Sequence, residues 1–194
     1  MHQVVGILLA AGRGLRFDPE GRRDKLLERL DSGQTVLKQS ALRLSAWVDR
    51  LVIVTRPGRT QALQASCPGL EADWVEALDA DLGMGASLKA GVSALPKPLR
   101  GWLIGLADMP WISPQTYQQV RQALDRDGDV VRPVHHGYPG HPVGCASRLS
   151  DAMLSLPVTG GLASVFRRPD LNVQHLEVVD PGCIRDIDLP ADMD

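Results

Sequence analysis

Aromatic residues make up only 4% of this 194-residue chain. Such a supply does not build a platform for stacking nucleic-acid bases. Neither sign of charge dominates, since the formal net charge is −2. That balance carries no electrostatic footprint of a nucleic-acid or membrane-surface binder. Cysteine is scarce and odd in number, at Cys67, Cys145 and Cys183, with no C-x-x-C pair. Neither a disulfide framework nor a zinc knuckle follows, and a reduced cytoplasmic protein is expected. No apolar run approaches membrane-spanning length, and no basic-then-apolar leader opens the chain. Internal repeats and low-complexity blocks are missing too. A P-loop is excluded, because no G-x-x-x-x-G-K-[ST] occurs.

What is present is enough for a core. Hydrophobic residues reach 44%, and a single domain over residues 1–194 is expected. Strand and helix patterns alternate, which predicts a three-layer α/β/α, Rossmann-like fold with a mostly parallel sheet. The apolar run Val4–Leu9 reads as a buried parallel strand. Thr35 is placed to cap a helix bearing Leu37, Ala41, Leu44 and Val48 on one face. Strands are expected at Leu51–Thr55, Trp102–Leu106, Val130–Val134 and Val173–Val179, and a loop, His135–Pro142, leads into Val143–Ala146. Helices are expected at Thr60–Ala65 and Ala86–Leu95, and after Ser113-Pro114, whose proline suits a first helical position. Tyr117, Val120 and Leu124 form the buried face of that last helix. Two short helices, near Arg148–Leu156 and Gly161–Arg167, precede the final strand, and a polar tail follows it.

The first strand ends in Leu9-Ala10-Ala11-Gly12-Arg13-Gly14-Leu15-Arg16-Phe17, with Asp24-Lys25-Leu26-Leu27 soon after. Glycines let a backbone turn sharply and bring its N–H groups close to a polyanion. Arg13, Arg16 and Lys25 add positive charge, arginine as a bidentate fork and lysine as a point charge. The competing pattern is a dinucleotide fingerprint, G-x-G-x-x-G. Here Phe17 stands in place of the third glycine, and Arg56 rather than an acid ends the next strand. Only a weak NADP reading survives. A plain strand-turn-helix with solvated arginines is the bland alternative.

Asp108 follows the strand Leu103–Leu106 directly. Ligands of open α/β sheets bind beyond the carboxyl ends of the strands, so Asp108 is expected on the same edge as Gly12. Mg²⁺ prefers one or two carboxylates plus phosphate oxygens, which a carboxylate at that place would supply. The alternative is a turn or cap aspartate before Pro110. Asp186 and Asp188 could complete the metal shell, although alone they read as a solvated tail. Gly83-Met84-Gly85-Ala86-Ser87 offers free N–H groups and a hydroxyl to a nucleotide, or is an ordinary glycine-rich cap. His135, His136 and His141 could suggest a transition metal, but the glycines and prolines around them read as a substrate-lining loop.

Taken in order, these segments resemble the MobA-like nucleotidyltransferases. The motifs are Leu9–Phe17, Asp24–Leu27, Gly83–Leu88, Ala107-Asp108-Met109-Pro110, Pro139-Gly140-His141-Pro142-Val143 and Asp186–Asp192. The Leu-Ala-Ala-Gly form, with Gly83–Ser87, is similar to the molybdenum cofactor cytidylyltransferases of the MocA type; the guanylyl branch tends to have Leu-Ala-Gly-Gly. The resemblance implies Mg²⁺ and transfer of a nucleotidyl group from CTP or GTP to the phosphate of molybdopterin, with release of pyrophosphate; the cytidylyl form points to CTP. Arg16, Lys25 and Asp108 would be catalytic. Leu9, Ala10, Ala11, Gly12, Arg13, Gly14, Lys25, Gly83, Gly85 and Ser87 would bind the nucleotide. Asp108 and Asp188 would hold the metal, with Asp186 a further candidate. Gly140, His141 and Pro142 would face the acceptor, and a molybdoenzyme would be the client. Lys25, following a loop, is not expected in the core.

Two stretches depart from that pattern. Asp18–Arg23 looks like a small insertion between arginine and lysine, which opens Arg22 and Arg23 as alternatives to Lys25. Where the relatives often show Gly-Asp-x-Gly-Ala-Arg, this chain has Thr159–Ser164 without the aspartate or the arginine. Other acceptors and guanylyl transfer therefore stay open. So do an NAD(P)-linked reductase and a non-catalytic molybdopterin carrier.

Overall fold

The computed structural model describes residues 3–98, 100–126 and 128–193. Strands run β1 (Val4–Ala10), β2 (Arg50–Thr55), β3 (Asp73–Glu76), β4 (Gly101–Leu106), β5 (Val130–His135), β6 (Tyr138–Pro139), β7 (Val143–Ala146) and β8 (Val173–Glu177). Helices are α1 (Val36–Ser45), α2 (Thr60–Ala65), α3 (Met84–Ser93), α4 (Pro114–Asp125), α5 (Ser150–Leu154) and α6 (Ala163–Phe166).

All eight strands join one sheet of order β3-β2-β1-β4-β7-β5-β6, with β8 on β5. The β1–β2, β1–β4, β2–β3 and β5–β8 pairs are parallel, whereas β7 runs antiparallel to both β4 and β5. The expected mostly parallel, three-layer fold is what forms. Alternation along β1 explains the layers. Val4, Leu8 and Ala10 meet α1 and α4 residues such as Leu37, Leu44, Tyr117 and Val120 on one face. Val5 and Ile7 meet Leu88 and Val92 of α3 and Met153 of α5 on the other.

Local signals act where they were read. The Thr35 hydroxyl accepts the Lys38 N–H at 3.2 Å and caps α1. Ser113 accepts the Gln115 N–H at 3.2 Å, and Pro114 opens α4. Three expectations need correction. Helix α1 ends at Ser45, so Val48 lies beyond it; Val48 still packs on the core, against Gly6. Strand β3 was not anticipated, being a four-residue edge strand, Asp-Trp-Val-Glu, without a buried side. The C-terminal segment is not a solvated tail. Ile187 is fully buried, and its N–H bonds to the Asp108 carbonyl at 2.9 Å.

From β1 the chain winds outward to β2 and β3, and β4 then returns to the other side of β1. That reversal is a topological switch point, where the loops after two adjacent strands splay apart and leave a crevice.

Candidate active site

The loop after β1 and the residues after β4 face each other across this crevice. Between them lies a cavity of about 290 Å³, lined by Leu9, Ala11, Gly12, Ala80, Gly83, Met84, Ser87, Leu106 and Asp108. No helix follows the glycine loop until the 3-10 turn Lys25–Leu27, which removes the helix N-terminus that a dinucleotide fingerprint needs. Phe17 is buried in the core and anchors the loop from below. Gly14 sits at φ +65°, a conformation that glycine adopts without steric cost. A Cβ at Gly12 would meet no protein atom within 4 Å. Packing therefore does not demand glycine there; an open path to the backbone does. Among the described residues, no protein acceptor pairs with the N–H groups of Gly12, Arg13, Gly14 and Leu15. A run of free N–H groups is a ready anion cradle.

Lys25 is the centre of the charged cluster. Its side chain is buried, against expectation, because Nζ reaches three oxygens. It donates to Asp108 Oδ2 at 2.7 Å and to the Ile187 carbonyl at 2.7 Å, and Asp188 Oδ1 stands 3.6 Å away. The turn that carries Lys25 is itself held: the Asp24 carboxylate accepts the Leu26 N–H at 3.0 Å and pairs with Arg59. Arg59 was not foreseen, although an aspartate one residue before a turn is a recognisable cap. The inserted segment is held by local pairs. Asp18 accepts the N–H groups of Glu20 and Arg23, Arg22 pairs with Glu20 at 2.6 Å, and Arg23 pairs with Glu28 at 2.9 Å. Lys25, not Arg22 or Arg23, enters the crevice.

Asp108 does not cap a helix, since Ser113 performs that task for α4. Its carboxylate faces the cavity and Lys25. Asp188 pairs with Arg16 as well as approaching Lys25. Asp186 is held above the usual carboxylate range by partial desolvation and by the charges of Asp188 and Asp108. Three carboxylates therefore crowd one ammonium. Among the described residues no group of three or more His, Cys, Asp or Glu side chains forms a metal cage. A hard divalent cation bound largely by phosphate needs only one or two such oxygens, and the crowded acids suit it.

Other expected residues have different settings. Arg13 forms a two-point ion pair with Asp81, at 2.6 and 2.5 Å, tying the glycine loop to the turn before α3. That contact lowers the Asp81 carboxyl below its ordinary range. Gly83 and Ser87 line the cavity, but Gly85 does not. A Cβ on Gly85 would fall 2.3 Å from the Pro157 carbonyl oxygen, so its role is to let α3 abut the 157–160 segment. Ala10 is buried within β1.

The residues expected to face the acceptor lie partly inside the fold. Gly140 and Pro142 are buried. A Cβ at Gly140 would meet the Cys183 carbonyl oxygen at 2.2 Å, and the His141 N–H donates to the same oxygen at 2.8 Å. The exposed part of that loop is 136–139. The three histidines do not form one cluster: the His135 and His136 rings lie 4.3 Å apart and His135 Nδ1 bonds to the Val178 carbonyl at 2.9 Å, while His141 Nδ1 is buried without a partner. Burial, then the charge of Arg132, pushes His141 down to about 4. Cys67, Cys145 and Cys183 are free and buried. Among the described residues no helix is long and apolar enough to cross a membrane.

A glycine loop after β1 and an aspartate after β4 meet at the switch point of a Rossmann-like sheet, the place where such folds bind nucleotides. The chain belongs to the MobA-like NTP transferase domain family, whose model matches residues 6–176. A probable molybdenum cofactor guanylyltransferase of Natronomonas pharaonis is 27% identical over 208 residues, covering 100% of this chain and 96% of that protein. The crystal structure of Rv0371c from Mycobacterium tuberculosis H37Rv superposes with a TM-score of 0.82 at 22% identity, over 98% of this chain and 95% of that one. Rv0371c in complex with manganese gives 0.77 at 22% identity, with 98% and 95% covered. At this identity the two structures speak for the fold.

Proposed function

We propose that this protein transfers CMP from CTP to the phosphate of a molybdopterin-type acceptor and releases pyrophosphate. The observation that carries the reading is the juxtaposition of the free N–H groups of the Gly12–Leu15 loop, buried Lys25, and Asp108 on one crevice. The related guanylyltransferase supports the acceptor class. The manganese complex of Rv0371c supports a divalent ion, here Mg²⁺ on Asp108 and Asp188.

The loop N–H groups and Lys25 hold the triphosphate, and the Gly12 path lets it approach the backbone. Arg16 moves from Asp188 to phosphate when the nucleotide binds. An acceptor phosphate oxygen attacks the α-phosphorus in line: the new O–P bond forms as the bond to the bridging oxygen breaks, and pyrophosphate carries away the electron pair. Lys25 neutralises charge developing on the transferring group, which in such reactions supplies most of the catalysis. A bound Mg²⁺ would add Lewis-acid stabilisation of the same oxygens. Ser87 and Gly83, at the base side of the cavity, contact the nucleoside.

The choice of cytidine rests on the Leu-Ala-Ala-Gly form, in which Ala11 lines the cavity. Ala11 narrows the space by one carbon relative to glycine and favours the smaller pyrimidine. The test is pyrophosphate release with CTP or GTP, Mg²⁺ and molybdopterin. Release with CTP is expected. Release with GTP alone would replace the nucleotide and keep the reaction. Binding of molybdopterin without release from any nucleotide would favour a carrier.

A further inference from the structure

Arg132 is a cation carried by a strand of the central sheet. It lies in β5, three residues before the strand's end, on the face that packs with α6. The side chain is half-buried. Nε donates to the Gly140 carbonyl at 3.2 Å, and an Nη donates to the Pro139 carbonyl at 3.4 Å. The guanidinium also stands 5.9 Å from the centre of the Phe166 ring. Among the described residues no carboxylate lies within ion-pair distance of it, in a chain where many arginines are paired. The segment 157–166, which brings Phe166 to it, contains no charged residue.

A guanidinium has five N–H donors. Two here fix the loop that precedes His141, and the others are left to solvent. Withdrawing a charge from water without a counter-ion is costly, so an arginine kept half-buried and unpaired is set to receive an anion. Its surroundings place that anion. His141 follows directly on the two carbonyls that Arg132 holds, and the antiparallel β4–β7 register, with Val143 opposite Ile104, carries this segment alongside the end of β4 that leads to Asp108. β7 and β5 lie on the side of β4 away from β1, so Arg132 flanks the crevice on the side opposite the glycine loop.

We propose that Arg132 binds the phosphate monoester of the acceptor, and so sets which acceptors are used. The assignment rests on the transfer reading above. Gly140, buried against Cys183, and His141 are then the frame that aims Arg132.

The test separates this assignment from that reading. Each protein is loaded with the α,β-methylene analogue of the nucleoside triphosphate it binds, so that nothing is transferred. Inorganic phosphate is then titrated by calorimetry. Arg132→Gln should weaken phosphate binding roughly tenfold or more, the loss expected of one charged hydrogen-bonding partner. Arg132→Lys should fall between, and the affinity for the analogue should change less than about twofold. In transfer assays KM for the phosphorylated acceptor should rise while KM for the nucleotide holds. Equal phosphate affinity in wild type and Arg132→Gln overturns the proposal, as does no measurable phosphate binding to the wild type. A melting temperature that falls in step with phosphate binding in both variants overturns it in favour of scaffolding. Phosphate binding through Arg132 without transfer from any nucleotide keeps the anion site and removes the transfer reading. Transfer with an unchanged acceptor KM in Arg132→Gln does the reverse.

Discussion

Lys25 and Asp108 are 83 residues apart in the chain, yet Nζ and Oδ2 are 2.7 Å apart in the fold. The contact links the loop after β1 to the residue after β4. On the proposed transfer reaction it would serve stability and chemistry together, and the two are separable. Lys25→Met should lower turnover by about 10²-fold or more, as expected for a lost charge on a transferring phosphoryl group. It should also cost on the order of 1–3 kcal/mol in urea denaturation, because Asp108 loses its hydrogen-bonded partner. Asp108→Asn in the same protein should restore much of that stability and none of the turnover. Full stability in the single Lys25→Met variant would show that the pair is not a structural contact.

Gly85→Ala tests the packing role assigned to that glycine. The new methyl group would overlap the Pro157, Val158 and Gly160 carbonyl oxygens, at 2.3 to 2.9 Å. A loss of about 1–3 kcal/mol is expected from such overpacking. Nucleotide affinity should fall through displacement of α3. A variant as stable as the wild type would place Gly85 in the nucleotide site instead.

Ala11→Gly removes the methyl group that lines the cavity. Nucleotide preference should move toward GTP, by roughly the 10–200-fold that one methylene decides in a pocket. The ratio of kcat/KM for CTP and GTP reads this directly. An unchanged ratio would put the determinant elsewhere, with Ser87 and Met84 next.

His141 predicts an acid-sensitive fold. Its ring is lowered from the ordinary 6.5 to about 4 by burial and by Arg132, against the opposing effects of the Ile104 carbonyl and Asp108. The unfolded chain takes up a proton below pH 6.5 that the folded chain refuses until about pH 4. Stability therefore falls as pH drops through this window and is insensitive to His141 above it. The contribution is on the order of 3 kcal/mol at most. His141→Gln should flatten the decline between these limits in urea titrations. An equally steep decline in that variant would assign it to other groups.

Sequence alone determined what depends on a few neighbouring residues. The apolar run of β1, the Thr35 cap and the Ser113-Pro114 start each act within about one turn, so their patterns are complete in the sequence. The glycine loop was legible for the same reason, as was Asp108 at the end of a buried strand. The tertiary structure decided what depends on the order of the strands. Only the return of β4 beside β1 brings Lys25 to Asp108 and buries it. Only the return of the C-terminal segment, fixed by Ile187 in the core, carries Asp186 and Asp188 to the same crevice. Arg13, Gly85 and Gly140 were legible as residue types suited to ligand binding. Their partners, Asp81, the 157–160 segment and Cys183, lie far along the chain. A charge or a missing Cβ is visible in a sequence, but the surface it meets is set by packing.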